Sequence, residues 1–104
     1  MTYEERTYTL KPGSLGSYFK TYEAEGLAVQ KAILGNLAGS FQTDFGTLNQ
    51  VAHIWACESL DEPARRRAKL WQHPTWLSYI PKVLPLVEKM ENHLLIPASF
   101  SPLK

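Results

Sequence analysis

The sequence predicts an α+β domain in which four antiparallel strands form one sheet and two helical regions cover one of its faces. Four segments alternate apolar and polar residues with the period of two that is typical of strands. Two longer segments repeat apolar residues at helical spacing, and together they give the order β-α-β-β-α-β. A chain of 104 residues has the length of one compact domain. We therefore expect a single domain over residues 1–104.

The first strand and helix are predicted near the N-terminus. Residues 2–10, TYEERTYTL, alternate Tyr and Thr with charged residues and stop before Pro12-Gly13, which predicts a half-buried strand closed by a turn. Ser14 is expected to cap the helix that follows, and we expect that helix to end near residues 32–33. The apolar face of this helix is made of Leu15, Tyr18, Phe19 and Tyr22.

A β-hairpin is predicted in the middle of the chain. Residues 37–43, LAGSFQT, and residues 49–56, NQVAHIWA, both show the alternation of strands. The tripeptide DFG at 44–46 lies between them and supplies turn-forming residues. We therefore expect two adjacent antiparallel strands.

The second helical region is predicted in two pieces. Ser59 and Glu62 have the spacing of a capping box, so a helix is expected to begin here with Pro63 in its first turn. His73-Pro74 interrupts that helix. A second apolar helical stripe follows, made of Trp76, Tyr79, Ile80 and Val83.

The last strand completes the predicted fold. Residues 88–96, EKMENHLLI, alternate again, and Pro97 closes the strand. The order β-α-β-β-α-β is the ferredoxin-like, or split βαβ, arrangement, with the helices on one face of a four-stranded antiparallel sheet. Residues 97–104 are too few to form a core of their own. We expect this C-terminal tail to dock on a partner subunit.

The strand patterns indicate that both faces of the sheet are apolar. In the third strand Val51 and Trp55 are predicted on one side, and Ala52, Ile54 and Ala56 on the other. The chain has helices for only one face, and soluble monomers seldom expose a large apolar patch. A second copy packed sheet against sheet would cover the other face, so we expect a homodimer.

Composition and charge argue against several classes of protein. Eleven basic and ten acidic side chains give a net charge of +1, too small to favour a nucleic-acid partner. The run Arg65–Arg67 spans about 200° around a helix, so we interpret it as a solvated, salt-bridged surface. The sequence has neither a secretory signal nor the roughly 20 apolar residues that span a bilayer. The lone Cys57 cannot form an internal disulfide, and we expect a cytoplasmic protein without membrane insertion.

Two long motifs resemble a known family. The segment YEERTYTLKPG at 3–13 and the segment GSFQTDFGTLNQVAHIWACESLD at 39–61, together with Trp76 after His73-Pro74, resemble the NIPSNAP family. The resemblance implies the dimeric α/β barrel fold, in which two ferredoxin-like sheets face each other. It implies no catalytic residues, because none is established for the family. The wider superfamily includes cofactor-free oxygenases, haem-handling enzymes and isomerases, and a shared fold does not imply a shared reaction.

The third strand carries a first group of candidate binding residues. Asn49, His53 and Trp55 differ by even numbers and are predicted to share one face. A neutral imidazole beside an amide and an indole could bind a polar ligand or move a proton near pH 7. The alternative, which we favour, is that His53 is a hydrogen-bonded member of a packed sheet.

The first strand carries a second group. Glu4, Arg6 and Tyr8 are predicted to project from one face, where a guanidinium and a phenol could hold an anionic or carbonyl-bearing ligand. A structural ion-pair cluster is the favoured alternative. Trp76 is a further candidate, as a wall of the binding pocket.

No metal or cofactor is expected. His53, His73 and His93 lack the i, i+3 or i, i+4 spacing that would place two metal ligands on one helix. His73 lies near two tryptophans, which raises the possibility of an axial haem ligand. A histidine at a helix boundary before proline is the favoured interpretation.

These patterns lead to a modest functional expectation. We expect a homodimer that serves as a small-ligand-binding or protein-interaction module. The alternative is a cofactor-independent oxygenase or isomerase that acts on a small aromatic or carbonyl compound. In that case Asn49 and Arg6 would polarise the ligand, and His53 or Tyr8 would transfer a proton. Trp55 or Trp76 would wall the pocket. An enzyme requires a mostly apolar pocket beside His53 or Arg6, whereas an interaction module does not.

Overall fold

A computed structural model describes all residues from Met1 to Lys104. Its strands are β1 (Thr2–Leu10), β2 (Asn36–Gln42), β3 (Gln50–Cys57) and β4 (Val87–Leu95). Its α-helices are α1 (Leu15–Thr21), α2 (Leu27–Leu34), α3 (Glu62–Leu70) and α4 (Pro74–Val83), with a π-helical turn at Tyr22–Gly26 and a 3-10 turn at Leu84–Leu86. The strands form one antiparallel sheet in the order β2-β3-β1-β4, which confirms the predicted ferredoxin-like arrangement.

The first helical region departs from a regular α-helix at its centre. The π-helical turn joins α1 to α2, and Gly26 lies at its end, where a Cβ atom would come within 2.8 Å of the Tyr79 ring. The absent side chain thus allows this helix to pack closely on α4. Ser14 occupies the predicted N-cap position of α1, but its side chain makes no capping hydrogen bond, so only that part of the prediction is wrong. The backbone carbonyl of Ser14 instead accepts from the amide of Tyr18.

The second helical region corrects one predicted cap. Asp61, not Ser59, is the residue that precedes α3. The Glu62 carboxylate does reach back, but it accepts from the amide of Glu58, one residue before Ser59, at 3.0 Å. Before α4, the Nδ1 atom of His73 accepts from the amide of Thr75 at 3.2 Å. His73 therefore caps the helix, in agreement with the favoured structural interpretation.

The strand register assigns side chains to the two faces of the sheet. Arg6 lies opposite His53 on β3 and opposite Asn92 on β4. These residues face the helices, together with Leu10, Val51 and Trp55 of the hydrophobic core. The opposite face, which we call the open face, carries Tyr3, Phe41, Ala52, Ile54, Ala56 and Leu95. No helix of the chain covers the open face. Its apolar residues lie among polar and charged ones, including Glu5, Lys89 and Glu91, so the predicted apolar pattern holds for the covered face and for only part of the open face.

The molecule is thin and carries no membrane-spanning helix. Its principal dimensions are 39 × 36 × 19 Å, and the shortest of these matches one sheet covered by one layer of helices. None of the helices has the length and apolar character needed to cross a bilayer.

Candidate functional site

A cavity of about 240 Å³ lies between the helices and the covered face of the sheet. Helices α1, α3 and α4, the π-helical turn, and strands β1, β3 and β4 all contribute side chains to its wall. Most of the wall is apolar, and the aromatic members are Tyr8, Tyr18, Tyr22, Trp71, Trp76 and Tyr79. Trp71 and Met90 are about half exposed, so the cavity opens to solvent near them. The combination of an apolar wall with a few polar groups is typical of small-molecule sites.

His53 is the buried titratable group at the centre of this wall. Its Nε2 atom lies 3.1 Å from the Tyr18 hydroxyl, and its Nδ1 atom lies 2.8 Å from the Oγ atom of Ser40. The ring of Tyr22 packs against it with centroids 5.0 Å apart. Burial, reinforced by the positive charge of Arg6, lowers the pKa of His53 to about 4. The imidazole is therefore neutral at pH 7, with one nitrogen able to donate and the other able to accept.

The tyrosines around His53 are held in their neutral form. Burial raises the pKa of Tyr18, Tyr22 and Tyr79 above the ordinary value of 10. The Tyr22 hydroxyl donates to Oε1 of Gln30, and the Tyr18 hydroxyl is paired with His53. These phenols can thus orient a ligand through hydrogen bonds and ring contacts, but they are poor proton acceptors near neutral pH.

Two guanidinium groups and one carboxylate form the charged part of the site. Glu4 accepts from Nη2 of Arg67 at 2.7 Å, from Nη1 of Arg6 at 3.4 Å and from Nδ2 of Asn92 at 2.9 Å. Arg6 also donates through Nε to the Tyr8 hydroxyl at 2.9 Å. Arg6 and Arg67 line the cavity, whereas Glu4 lies behind them. The predicted ion-pair cluster on β1 is therefore present, and it forms part of the cavity wall.

Some buried donors of this region have no partner within the chain. The Nε atom of Arg67 and the Nε1 atom of Trp76 belong to cavity-lining residues, and neither is hydrogen-bonded or reached by solvent. The Nε1 atom of Trp55, deeper in the core, shares this property. An unpaired buried N–H group costs free energy, about 1–3 kcal/mol. A ligand with acceptor atoms could satisfy the donors of Arg67 and Trp76 after a small movement of either side chain.

Comparison with known proteins assigns the chain to a family. The NIPSNAP family model matches residues 3–102. The chain belongs to the NIPSNAP family. A NIPSNAP family protein of unknown function from Agrobacterium tumefaciens, known from a crystal structure, is 49% identical in sequence to this chain. The match covers 100% of this chain and 94% of the Agrobacterium chain, and the two structures superpose with a TM-score of 0.96. A NIPSNAP-like domain protein from Burkholderia xenovorans is 45% identical over 97% of this chain and 88% of its own, with a TM-score of 0.92.

Eukaryotic NIPSNAP proteins are longer than this chain. NipSnap homolog 2 of Danio rerio is 32% identical over 98% of this chain, which corresponds to 35% of the zebrafish protein. A NipSnap homolog of Dictyostelium discoideum is 33% identical over 91% of this chain and 42% of its own length. This NIPSNAP chain thus spans well under half of these relatives.

A more distant structural neighbour shows how widely the fold is shared. An antibiotic biosynthesis monooxygenase superposes on this NIPSNAP chain with a TM-score of 0.64, over 94% of this chain and 99% of its own. Its sequence is only 8% identical. The likeness therefore extends to the fold alone.

The NIPSNAP structure brings four of the six predicted site residues to the cavity. Arg6, Tyr8, His53 and Trp76 all line it. Trp55 does not, because it lies two residues beyond His53 along β3, roughly 6–7 Å away, where it is 1% exposed within the hydrophobic core. The expectation that Trp55 walls the pocket is wrong.

Asn49 does not line the cavity either. Strand β3 begins at Gln50, and Asn49 lies before it with a left-handed φ of 62°. Asparagine tolerates this conformation better than most residues. Its backbone carbonyl accepts from the amide of Leu10 at 2.8 Å, and its side chain does not line the cavity. The alternation rule fails here because the residue lies in the turn.

Sequence reasoning missed Arg67 as a member of the site. The run Arg65–Arg67 is not uniformly solvated, because the Arg67 side chain is only 17% exposed and reaches Glu4 across 63 residues of sequence. A signal was present: Pro63 and Leu70 are buried, and position 67 lies four residues after one and three before the other, on the same helical face. Tyr18 and Tyr22 were interpreted only as core residues, yet both are polar members of the site.

Proposed function

We propose that this NIPSNAP protein binds a small molecule in the cavity between its helices and its sheet, and that it does so as a homodimer. The observation that supports binding is the juxtaposition of an apolar cavity of about 240 Å³ with His53 and Arg6 in its wall. A pure interaction module would not need such a cavity. The single free Cys57 suits a reducing compartment, and we propose the cytoplasm as the site of action.

The size and shape of the isolated chain support the homodimer. Its accessible surface is 6492 Å², whereas a compact monomer of 11.8 kDa is expected to expose roughly 5,900 Å². Its radius of gyration is 14.0 Å, compared with about 13 Å for a compact domain of this length. The larger surface and the larger radius of gyration are both expected for a flat chain that leaves one side of its sheet uncovered.

The apolar side chains of the open face are partly exposed in the isolated chain, and a second copy would cover them. Phe41 is 58% exposed, and Leu95 is 42% exposed. Ile54 lies at its centre on β3, between Glu5 of β1 and Gly39 of β2. A sheet within a 39 × 36 Å outline is large enough for the roughly 800 Å² per partner that a stable interface buries.

A ligand screen with a cavity-filling variant tests the binding proposal. A library of small apolar compounds is screened by thermal shift, since a ligand at one hundred times its Kd stabilises the folded state by about 2.7 kcal/mol. Val83 lines the cavity, so Val83→Phe should abolish the shift produced by each hit. Leu77→Phe, an exposed position of the same helix, is the matched control. Hits that stabilise Val83→Phe as much as the unchanged protein would argue that they bind elsewhere.

Sedimentation analysis tests the homodimer. Ile54→Lys should convert the dimer to a monomer, because it places a charge at the centre of the open face. The new lysine lies opposite Glu5 across the ladder, so the fold of each protomer is spared. Leu77→Lys is the control on the helical side. A monomer of the unchanged protein at micromolar concentration would refute this part of the proposal.

Proton transfer to or from a carbonyl compound is the second candidate function. The observation that favours it is the neutral imidazole of His53 in the cavity wall, held between the hydroxyls of Tyr18 and Ser40. General acid–base catalysis by such a group typically contributes about 10²- to 10⁴-fold in rate. Hits from the screen are incubated in D₂O, and NMR follows exchange of their C–H protons. Exchange that is unchanged in His53→Gln would exclude this candidate.

A further inference from the structure

We propose that the ligand of the cavity is a small aromatic carboxylate, whose acid group is held by Arg6 and Arg67 and whose ring packs among the aromatic side chains of the wall. This inference rests on the proposed ligand-binding function and narrows it to one chemical class. Three features of the cavity lead to it: its charge, its free donors and its size.

The charge of the site is positive and only partly neutralised. Arg6 and Arg67 both line the cavity, and no aspartate or glutamate does. Glu4 is the one carboxylate that contacts them, and it is shared between both guanidinium groups. His53 contributes no charge at pH 7. One positive charge therefore remains at the cavity wall, which matches a ligand with a single negative charge better than a doubly charged phosphate.

The donors that remain on these arginines suit a carboxylate. Arg67 uses Nη2 for Glu4, and its buried Nε has no partner. Arg6 uses Nη1 for Glu4 and Nε for the Tyr8 hydroxyl, which leaves Nη2 without a partner in the chain. Each guanidinium can donate five hydrogen bonds in a plane, the arrangement that carboxylate oxygens match. Trp76 Nε1 is a further unpaired donor, which a small shift of the indole would offer to an acid oxygen.

The volume and the wall restrict the rest of the ligand. An engineered cavity of about 150 Å³ is known to hold benzene, so about 240 Å³ accommodates one ring with a short acid arm. The wall is already built of ring contacts, with centroids 5.1 Å apart for Trp76 and Tyr79 and 6.1 Å apart for Tyr18 and Tyr22. Aromatic pairs favour centroid distances of about 4.5–7 Å. The ring of a ligand can therefore pack against these aromatic side chains at the same centroid distances that they already have with one another.

The test compares an acid with its uncharged amide. Isothermal titration calorimetry at pH 7 measures 3-phenylpropanoate and 3-phenylpropanamide, which share size and ring. We expect the acid to bind at least about tenfold more tightly. Arg6→Gln and Arg67→Gln should each remove most of this preference while they leave the Kd of the amide within about twofold. Arg65→Gln, an exposed arginine of the same helix that does not line the cavity, should leave both ligands unaffected.

The outcomes separate this inference from the proposed function. Equal affinity for the acid and the amide would exclude a carboxylate as the preferred ligand, but the cavity would still be a ligand site. Tighter binding of hexanoate than of 3-phenylpropanoate would overturn the aromatic part of the inference. Failure of the acid, the amide and propylbenzene alike would overturn this inference, whereas the ligand site itself would be overturned only if no library compound gave a thermal shift that Val83→Phe abolishes. The comparison of acid and amide uses the unchanged protein, so it tests the chemical class of the ligand even if an arginine variant fails to fold.

Discussion

Replacement of His53 by glutamine should flatten the dependence of stability on pH. Burial keeps the imidazole neutral in the folded protein, where its pKa is about 4, whereas the unfolded chain has the ordinary pKa of 6.5. Below pH 6.5 the unfolded state therefore binds a proton that the folded state does not. The stability that His53 contributes is complete above pH 6.5, declines as the pH falls toward 4 and changes no further below that value. Glutamine can still hydrogen-bond to Tyr18 and Ser40, but it does not titrate.

The size of the effect follows from the two pKa values. They differ by roughly 2.5, and each unit corresponds to about 1.4 kcal/mol. The unchanged protein should therefore lose about 3 kcal/mol between pH 7.5 and pH 4 on account of His53 alone. About 2 kcal/mol of this is lost by pH 5. Solvent screens this effect little, because His53 is only 2% exposed.

Urea unfolding at several pH values measures the effect at a fixed protein concentration, because dimerisation would make stability depend on concentration. All other residues are identical in the two proteins, so their contributions cancel in the difference between the two profiles. His93→Gln is the matched control, since the His93 side chain is 60% exposed, and it should leave the profile within about 0.5 kcal/mol. Parallel profiles for the unchanged protein and His53→Gln would refute the neutral, buried imidazole.

Three further predictions concern packing, reactivity and assembly. Gly26→Ala should destabilise the protein by about 1–3 kcal/mol in urea unfolding, because its Cβ would lie 2.8 Å from the buried Tyr79 ring. Gly16→Ala has open space around it and should stabilise the protein by up to about 1 kcal/mol in the same assay. Equal effects of the two substitutions would contradict this account. Burial raises the pKa of the Cys57 thiol, so a disulfide reagent should modify it rapidly only in denaturant, and fast labelling in native buffer would count against the packing. Truncation after Ala98 should weaken the proposed dimer, and an unchanged dissociation constant would show that the C-terminal tail does not dock on the partner.

The periodic parts of the sequence predicted the fold well. Alternation in β1, β3 and β4 gave each strand to within one residue, and helical spacing placed α1 and α4. Such patterns are reliable because one face of each element is buried, and burial imposes the period of the element on the side chains. The errors lie at the ends of elements. Ser14 and Ser59 have the right residue type for a cap, yet neither α1 nor α3 begins with a side-chain cap hydrogen bond.

The candidate site was predicted less completely, for a different physical reason. Alternation places His53 and Trp55 on the same face, but it says nothing about where along that face a cavity lies. Arg67 looked like one of three surface arginines because its partner, Glu4, is 63 residues away. The pairing exists only once α3 has packed against the sheet.

The sequence by itself therefore determined the order and type of the elements, the apolar face of the sheet that the helices cover and, through its motifs, the family. These properties depend on short-range periodicity and on residue identity, both of which are written along the chain. Only the tertiary structure decided that four tyrosines, His53, Arg6 and Arg67 surround one cavity. A cavity is the space that remains between packed layers, so its position depends on contacts among residues far apart in sequence.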